Sequence, residues 1–431
     1  MRIAVVGAGI AGLGTAWLLA REGHAVTLFE AGRRLGGHTA TVDVTLEDRT
    51  FPVDTGFLVF NDRTYPRLLA LFDALGVPSV ASEMSFSCRV DRHRLEWAGT
   101  SLRSLFAQPG NALRPAFWRM LADIARFNRA ATAMDEGARA WSVSLGEYLQ
   151  AEKYSVPFRD WYLLPMAAAI WSAPKNDILD FPLPTFVRFC RNHGLLQITD
   201  RPQWRTVAGG GRAYVEKIAA GLADVRVATP VHRVVRTPQG IEIDTPTRRR
   251  ETFDEVVLAC HSDQSLALLA DASHSERRLL AAVRYQSNRV VLHTDADLLP
   301  RRRSAWAAWN YLAVDDPTGH RPVAVSYLIN KLQPLPCTTP VIVTLNPPFP
   351  PKSTHVLQEF DYSHPLLDAA ALAAQRGIAQ LQGHRHTWFA GAWLGYGFHE
   401  DGLASAHAVA DGMARRLSSI DRNASPIRVA A

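Results

Sequence analysis

A continuous apolar run, Ile3 to Val6, enters a turn that carries Gly7, Gly9 and Gly12, and leaves it through a stretch of helical composition ending near Arg21. A second apolar run, Ala25 to Phe29, follows at once. This order constrains the fold more than any other feature of the chain. Two parallel strands need a crossover connection, and a parallel sheet is covered on both faces, so the beginning of the chain predicts an α/β architecture. Each glycine has its own reason: Gly7 permits the tight turn, Gly9 lets a pyrophosphate reach the backbone, and Gly12 lets helix and strand pack closely. The unpaired N–H groups at the helix start, at Ile10 and Ala11, favour an anion above the turn. Glu30, followed by Ala31, ends the second strand, where a carboxylate accepts ribose hydroxyls. The prediction is a dinucleotide half-site in a Rossmann-like domain.

The rest of the composition sets limits around that half-site. A chain of 431 residues, 47% hydrophobic and 20% charged, is expected to be globular with two domains. The formal net charge of +6 is compatible with an anionic surface as partner, whereas no feature calls for nucleic acid. Cys88, Cys190, Cys260 and Cys337 are far apart and form neither a CxxC pair nor a metal spacing, so no metal site is expected and a reducing compartment fits. The longest apolar run, Leu163 to Trp171, is far short of a membrane span, and no leader pattern precedes the first strand. The expected location is cytoplasmic, with room for peripheral attachment at the inner face of a membrane.

After Glu30 the sequence reads "EAGRRLGGHTATVDV", then "FPVDTGFLVFN", and close to the end "HTWFAGAWLGYGFHEDGLASAHAVADGM". Glu30, Arg34, Gly36 and Gly37, followed by Asp54-Thr55-Gly56, resemble the flavin-proximal motifs of the flavin-containing amine oxidase and phytoene desaturase superfamily. His38 stands where that pattern usually has arginine. The late segment resembles the superfamily's second flavin wall, with a strand from Trp388 to Ala390, the step Gly391-Ala392, and Asp401-Gly402 opening a helix from Leu403. The resemblance implies FAD, a glutathione-reductase-type domain with amine oxidase topology, an adenine contact at Val231, and an inserted α+β substrate domain. It also implies a non-covalent cofactor, since thioether-forming relatives carry a cysteine in the segment where this chain has none. The expected cofactor domain is discontinuous, at 1–80, 200–290 and 385–420. The substrate domain is expected at 81–199 and 291–384, and a tail at 421–431.

No Ser-His-Asp, HExxH or paired-carboxylate pattern is present, so the chemistry is expected from the flavin. Lys331, near the end of a strand, is the expected lysine close to flavin N5, with Tyr327 and Tyr311 as further catalytic candidates. His399 and Glu400 are weighed as an acid–base pair against a capping role, and Tyr396 and Trp393 as pocket lining. The inserted region is rich in aromatics, among them Trp118, Trp141, Trp161 and Trp171. The segments "FNDRTYPRLLALFDALGV", "LLPMAAAIWSAP" and "SYLINKLQPL" resemble a bacterial branch of the superfamily associated with cyclopropane-type fatty acid synthesis. That implies a desaturase or dehydrogenase acting on fatty acyl chains of membrane phospholipids, with the electron acceptor left open. An amine oxidase, a redox-neutral fatty acid isomerase and a flavin-free lipid-binding protein are the alternatives. The stretch Arg114 to Arg129 has a basic amphipathic pattern, and Arg301-Arg302-Arg303 precedes "SAWAAWNY"; both fit an anionic membrane surface.

Overall fold

The computed structural model describes residues 1–134, 143–197, 200–313 and 323–424. Trp141 and residues 425–431 of the expected tail lie outside them.

The first two strands, Arg2–Val6 and Ala25–Phe29, pair in parallel, with Ile3 opposite Val26. On the other side of Arg2–Val6 lies Glu255–Leu258, then Thr387–Phe389, and Asp224–Arg226 closes the opposite edge. All five strands run parallel. The centre of this sheet is buried on both faces, which is why its strands read as unbroken apolar runs rather than alternating ones. The helix Ile10–Arg21 and the long terminal helix His399–Ala424 cover one face. Gly14 is what lets them approach, since a Cβ there would stand 2.6 Å from the Leu403 side chain. A three-stranded antiparallel meander, Arg233–Thr237, Gly240–Asp244 and Glu251–Phe253, covers the other face with the helix Ala369–Ile378.

The second body is a seven-stranded sheet in the order Val356–Leu366, Arg284–His293, Ile342–Leu345, Val325–Leu328, Trp309–Ala313, Phe86–Val90, Leu95–Ala98. Every pairing is antiparallel except that between Trp309–Ala313 and Phe86–Val90. Helices Pro115–Ala133, Leu164–Trp171 and Leu183–Asn192 share its core, in which Phe117, Phe127, Phe158 and Phe186 are fully buried.

These cores draw the domain boundaries differently from the expected ones. Arg284–His293 is a strand of the seven-stranded sheet, so that body begins at 284 rather than 291. Ala371, Ala374 and Ile378 pack under the parallel sheet, which moves the stretch from 369 to the cofactor body. Val44, Phe51 and Val53, on the hairpin after the first half-site, join the core of the second body. The helix expected to begin at Leu403 starts at His399, and it continues through Ala424 into the expected tail.

Candidate cofactor and substrate site

The N-terminal glycine turn shows whether a cofactor fits. A Cβ on Gly12 would lie 1.8 Å from the Gly7 carbonyl oxygen, and one on Gly7 would press on Ala259 at 3.0 Å. A Cβ on Gly9 would meet nothing within 4 Å. The outer glycines are thus used by the protein's own packing, whereas Gly9 faces open space, as a backbone that receives a pyrophosphate must. The second glycine loop lies directly on the first: the Gly36 N–H donates to Ala8 O at 2.8 Å, and a Cβ on Gly37 would sit 3.0 Å from Gly9 Cα. Glu30 braces the turn, accepting from the Ala8 N–H at 2.9 Å and the Gly32 N–H at 2.7 Å.

This turn opens onto one cavity of about 1160 Å³ that continues into the seven-stranded body. A volume above the roughly 300–1,000 Å³ that suits one small ligand leaves room for a cofactor and a substrate together. Gly7, Gly9, Ile10, Ala11, Glu30 and Ala31 form its inner wall. Gly36, Gly37, His38, Thr55 and Gly56 form a second, and Val231, Gly391 and Ala392 also line it. Six of the expected cofactor residues stand behind the wall instead. Gly12 is filled by the turn itself, and Gly402 and Leu403 pack the terminal helix on the first one, where a Gly402 Cβ would be 2.7 Å from Ile10. Arg34 donates to the carbonyls of Leu35, Gly37 and Thr39, so it shapes the loop.

Asp54, only 1% exposed, ties three segments: it accepts from the Thr41 hydroxyl, from the Gly211 N–H at 2.9 Å and from Gln333 Nε2 at 2.8 Å. Burial outweighs these donors and pushes its pKa up to about 6. Asp401 does not open a helix at Leu403. It occupies the first turn of the helix from His399 and accepts from the Phe398 N–H at 2.9 Å. Burial likewise raises it to about 6. Glu400 accepts from the N–H groups of Arg67 and Leu68 at 3.0 and 3.1 Å, capping another helix, Pro66–Leu75. His399 does reach the cavity, but its ring stacks on Phe57 at 3.6 Å, and burial lowers its pKa to about 3.

The catalytic candidates separate in the same way. Lys331 Nζ donates to both carboxylate oxygens of Glu83 at 2.9 Å and is absent from the cavity wall. Tyr311 is buried in its sheet, also away from the wall. Tyr327 lines the cavity, its ring edge on Trp309 at 5.0 Å, and burial raises its phenol far above the usual range. Trp393 and Tyr396 line it too.

Sequence reasoning passed over four residues on this wall: His193, His261, His364 and Arg201. His193 Nδ1 is 3.0 Å from Phe189 O. A carbonyl only accepts, so Nδ1 carries the hydrogen and Nε2 keeps its lone pair. Burial lowers the pKa of this ring to about 4, leaving it neutral at pH 7 with Nε2 open as an acceptor. The His38 ring lies 5.2 Å from both Tyr362 and His364, tilted by 41° and 35°, and its buried Nε2 has no hydrogen-bond partner among the described residues. Burial and the neighbouring histidines keep it neutral, so it offers a hydrogen bond where arginine would offer charge. His261 had a signal, since it follows the C-terminal end of the strand Glu255–Leu258, the end at which parallel sheets bind ligands.

The sequence pattern of the flavin containing amine oxidoreductase family matches residues 10–333, and the chain belongs to that family. AofH of Mycobacterium tuberculosis, which bears the name of a flavin-containing monoamine oxidase, is 28% identical over 264 residues, 58% of this chain and 54% of its own length. The chain thus spans about half the length of the curated relatives it matches. Among solved structures, cyclohexylamine oxidase from Brevibacterium oxydans superposes with a TM-score of 0.67 at 16% identity, over 97% of this chain and 99% of its own. A CLA-producing fatty acid isomerase from P. acnes gives 0.65 at 17%, over 96% and 98%. Such identities show the fold. Membership of that family implies FAD as cofactor, and the open space at Gly9, the Glu30 carboxylate on the wall and the unpartnered His38 nitrogen fit it in the glycine-lined half of the cavity.

Proposed function

We propose that the chain is an FAD-dependent oxidoreductase that dehydrogenates an apolar substrate, the fatty acyl chain of a lipid. The observation that carries this reading is the cavity beyond the dinucleotide wall. Trp97, Met166, Ile170, Trp309, Val343 and Leu345 stand there, and Arg201 and Glu30 are the only arginine, lysine or carboxylate side chains among the described lining residues. Glu30 belongs to the glycine turn. An ammonium ion would therefore meet no carboxylate in the far half, whereas a chain ending in a carboxylate or phosphate meets Arg201 at the exposed rim. That a fatty acid isomerase shares this fold supports the reading.

FAD, held by the glycine turns, would supply the acceptor for a hydride leaving the acyl chain. Loss of that hydride from one carbon and of a proton from its neighbour leaves a double bond. His193 is the imidazole we assign to take the proton, through Nε2, the nitrogen opposite the one held by Phe189 O; His38, His261, His364 and His399 are the other imidazoles on the wall. The apolar rings around it exclude water and hold the chain extended.

The test is anaerobic mixing of the oxidised holoprotein with a panel of fatty acids, phospholipids in detergent, and soluble amines, following loss of the oxidised flavin absorbance. Acyl chains should bleach the flavin and return a product two hydrogens lighter. An acyl product of unchanged mass with a moved double bond would make the reaction an isomerisation. Bleaching by amines alone would replace the acyl reading with amine oxidation.

A further inference from the structure

We infer that the face around Leu102, Leu113 and Trp118 docks on an anionic lipid bilayer at the mouth of the substrate cavity. This rests on the acyl-chain reading and names where the chain enters. Leu102 is 76% exposed, Leu113 87% and Trp118 52%, three of the seven large apolar side chains exposed among the described residues. Trp118 ties together the two segments that carry the leucines. The Phe106 ring, just beyond the short helix Leu102–Leu105, lies 5.7 Å from Trp118, and Trp118 Nε1 donates to Ala112 O at 2.9 Å. The helix also packs against the turn Arg303–Ala305.

The patch is not the amphipathic face expected from Arg114 to Arg129. In the helix Pro115–Ala133 the apolar side, with Phe117, Met120 and Phe127, is buried in the core. Trp118 points the other way, beside Arg119.

Arg103, Arg114 and Arg119 are the chain neighbours of the three apolar side chains, and Arg301, Arg302 and Arg303 lie in and just before the turn that packs on the helix Leu102–Leu105. Carboxylates answer some of them: Asp91 is 3.3 Å from Arg301, Glu96 3.8 Å from Arg302 and Asp123 3.7 Å from Arg119. Arg103 and Arg303 form no ion pair among the described residues, and Arg303 lies over the Trp306 ring at 5.4 Å. A positive rim around protruding leucine and tryptophan suits lipid phosphates outside and acyl chains within. A second copy of the chain would bring the same arginines face to face in a two-fold contact, and a nucleic acid backbone would leave the leucines in water.

The position ties the patch to the cavity. Gly99 and Thr100, both exposed, line the cavity and lie just ahead of Leu102 in the chain. Trp97, in the strand that leads to them, lines it deeper in. A lipid chain leaving the bilayer beside Leu102 thus enters the apolar wall directly.

The test is flotation of the FAD-loaded full chain with phosphatidylglycerol vesicles and with phosphatidylcholine vesicles, at low and high salt. The wild type should float with the anionic vesicles at low salt and be released by high salt. Combined Arg103→Glu, Arg119→Glu and Arg303→Glu should weaken that binding by at least about 100-fold. Combined Leu102→Gln, Leu113→Gln and Trp118→Gln should leave a weaker attachment that moderate salt removes. FAD content and melting temperature establish that each variant is folded. Absence of wild-type flotation, equal flotation of all three proteins, or a dimer abolished by the same changes would overturn the inference. The acyl reading is measured separately with fatty acid in detergent: bleaching without flotation removes the docking surface alone, and flotation without bleaching removes the acyl reading alone.

Discussion

Gly9 and Gly12 share one turn and answer to different neighbours. Gly9→Val fills space that no protein atom uses, so the variant should fold, carry no flavin after purification, and melt where the flavin-stripped wild type does. Gly12→Val drives a side chain into the Gly7 carbonyl and should unfold the half-site itself. Glu30→Ala removes two acceptors from the turn and should lower FAD occupancy less than Gly9→Val does. Absorbance of the purified proteins together with thermal melts separates these outcomes. His193 gives a kinetic prediction. Its neutral form is the base, so with His193 at about 4 the rate on an acyl chain should fall as pH drops through about 4. His193→Asn should slow flavin reduction roughly 10²–10⁴-fold with FAD content unchanged. Asp54 gives a stability prediction of opposite form. Its folded pKa near 6 lies above the ordinary 3.8, so its contribution is fully present below 3.8 and lost as pH rises through 6. The stability of the wild type relative to Asp54→Asn should therefore increase as pH is lowered from 7.5 to 5, read from denaturant midpoints. A flat difference across that window would place the proton elsewhere.

At the scale of elements, the strand, glycine turn and helix were legible because each has a local cause: apolar continuity for a strand buried on both faces, glycines where a backbone or a carbonyl comes within contact, and a helical composition between them. The terminal helix was legible in existence and misplaced in its start. A cap by Asp401 was legible, and Asp401 does accept from the Phe398 N–H three residues back, at a helix that starts four residues early; Glu400 instead caps a helix more than 300 residues away in sequence, a contact set by tertiary packing. Lys331 stands off the cavity wall for the same reason. The strand Val325–Leu328 does run beside the cavity, but the turn after it swings the lysine onto Glu83, a partner that spacing does not reveal. The aromatic helices announced an apolar substrate body without showing which faces would be core. Only the packed structure separates Met120, buried, from Trp118, outside.

The whole molecule encloses its cavity between two bodies, the glycine turns on one side and Trp97, Met166 and Val343 on the other. An FAD lying along the glycine turns and reaching the second body would bridge the two cores, and its removal would act on their assembly more than on either sheet. A ligand that binds only the folded state stabilises it by about 2.7 kcal/mol at 100 times its Kd. The expected result is that stripped protein melts earlier and over a wider range than holoprotein, and that added FAD restores a single sharper transition. Restoration requires that the cofactor leave intact, which depends on the absence of a covalent link. Cys260 is the one cysteine among the described lining residues, and burial raises its thiol to about 11, so at neutral pH it holds almost no thiolate to attack a flavin ring. Unfolding in guanidinium followed by ultrafiltration should pass all the yellow cofactor into the filtrate as intact FAD. Flavin that remained with the polypeptide would show a covalent bond, and would also remove the reversible melting behaviour expected of a cofactor that joins two bodies without being part of either.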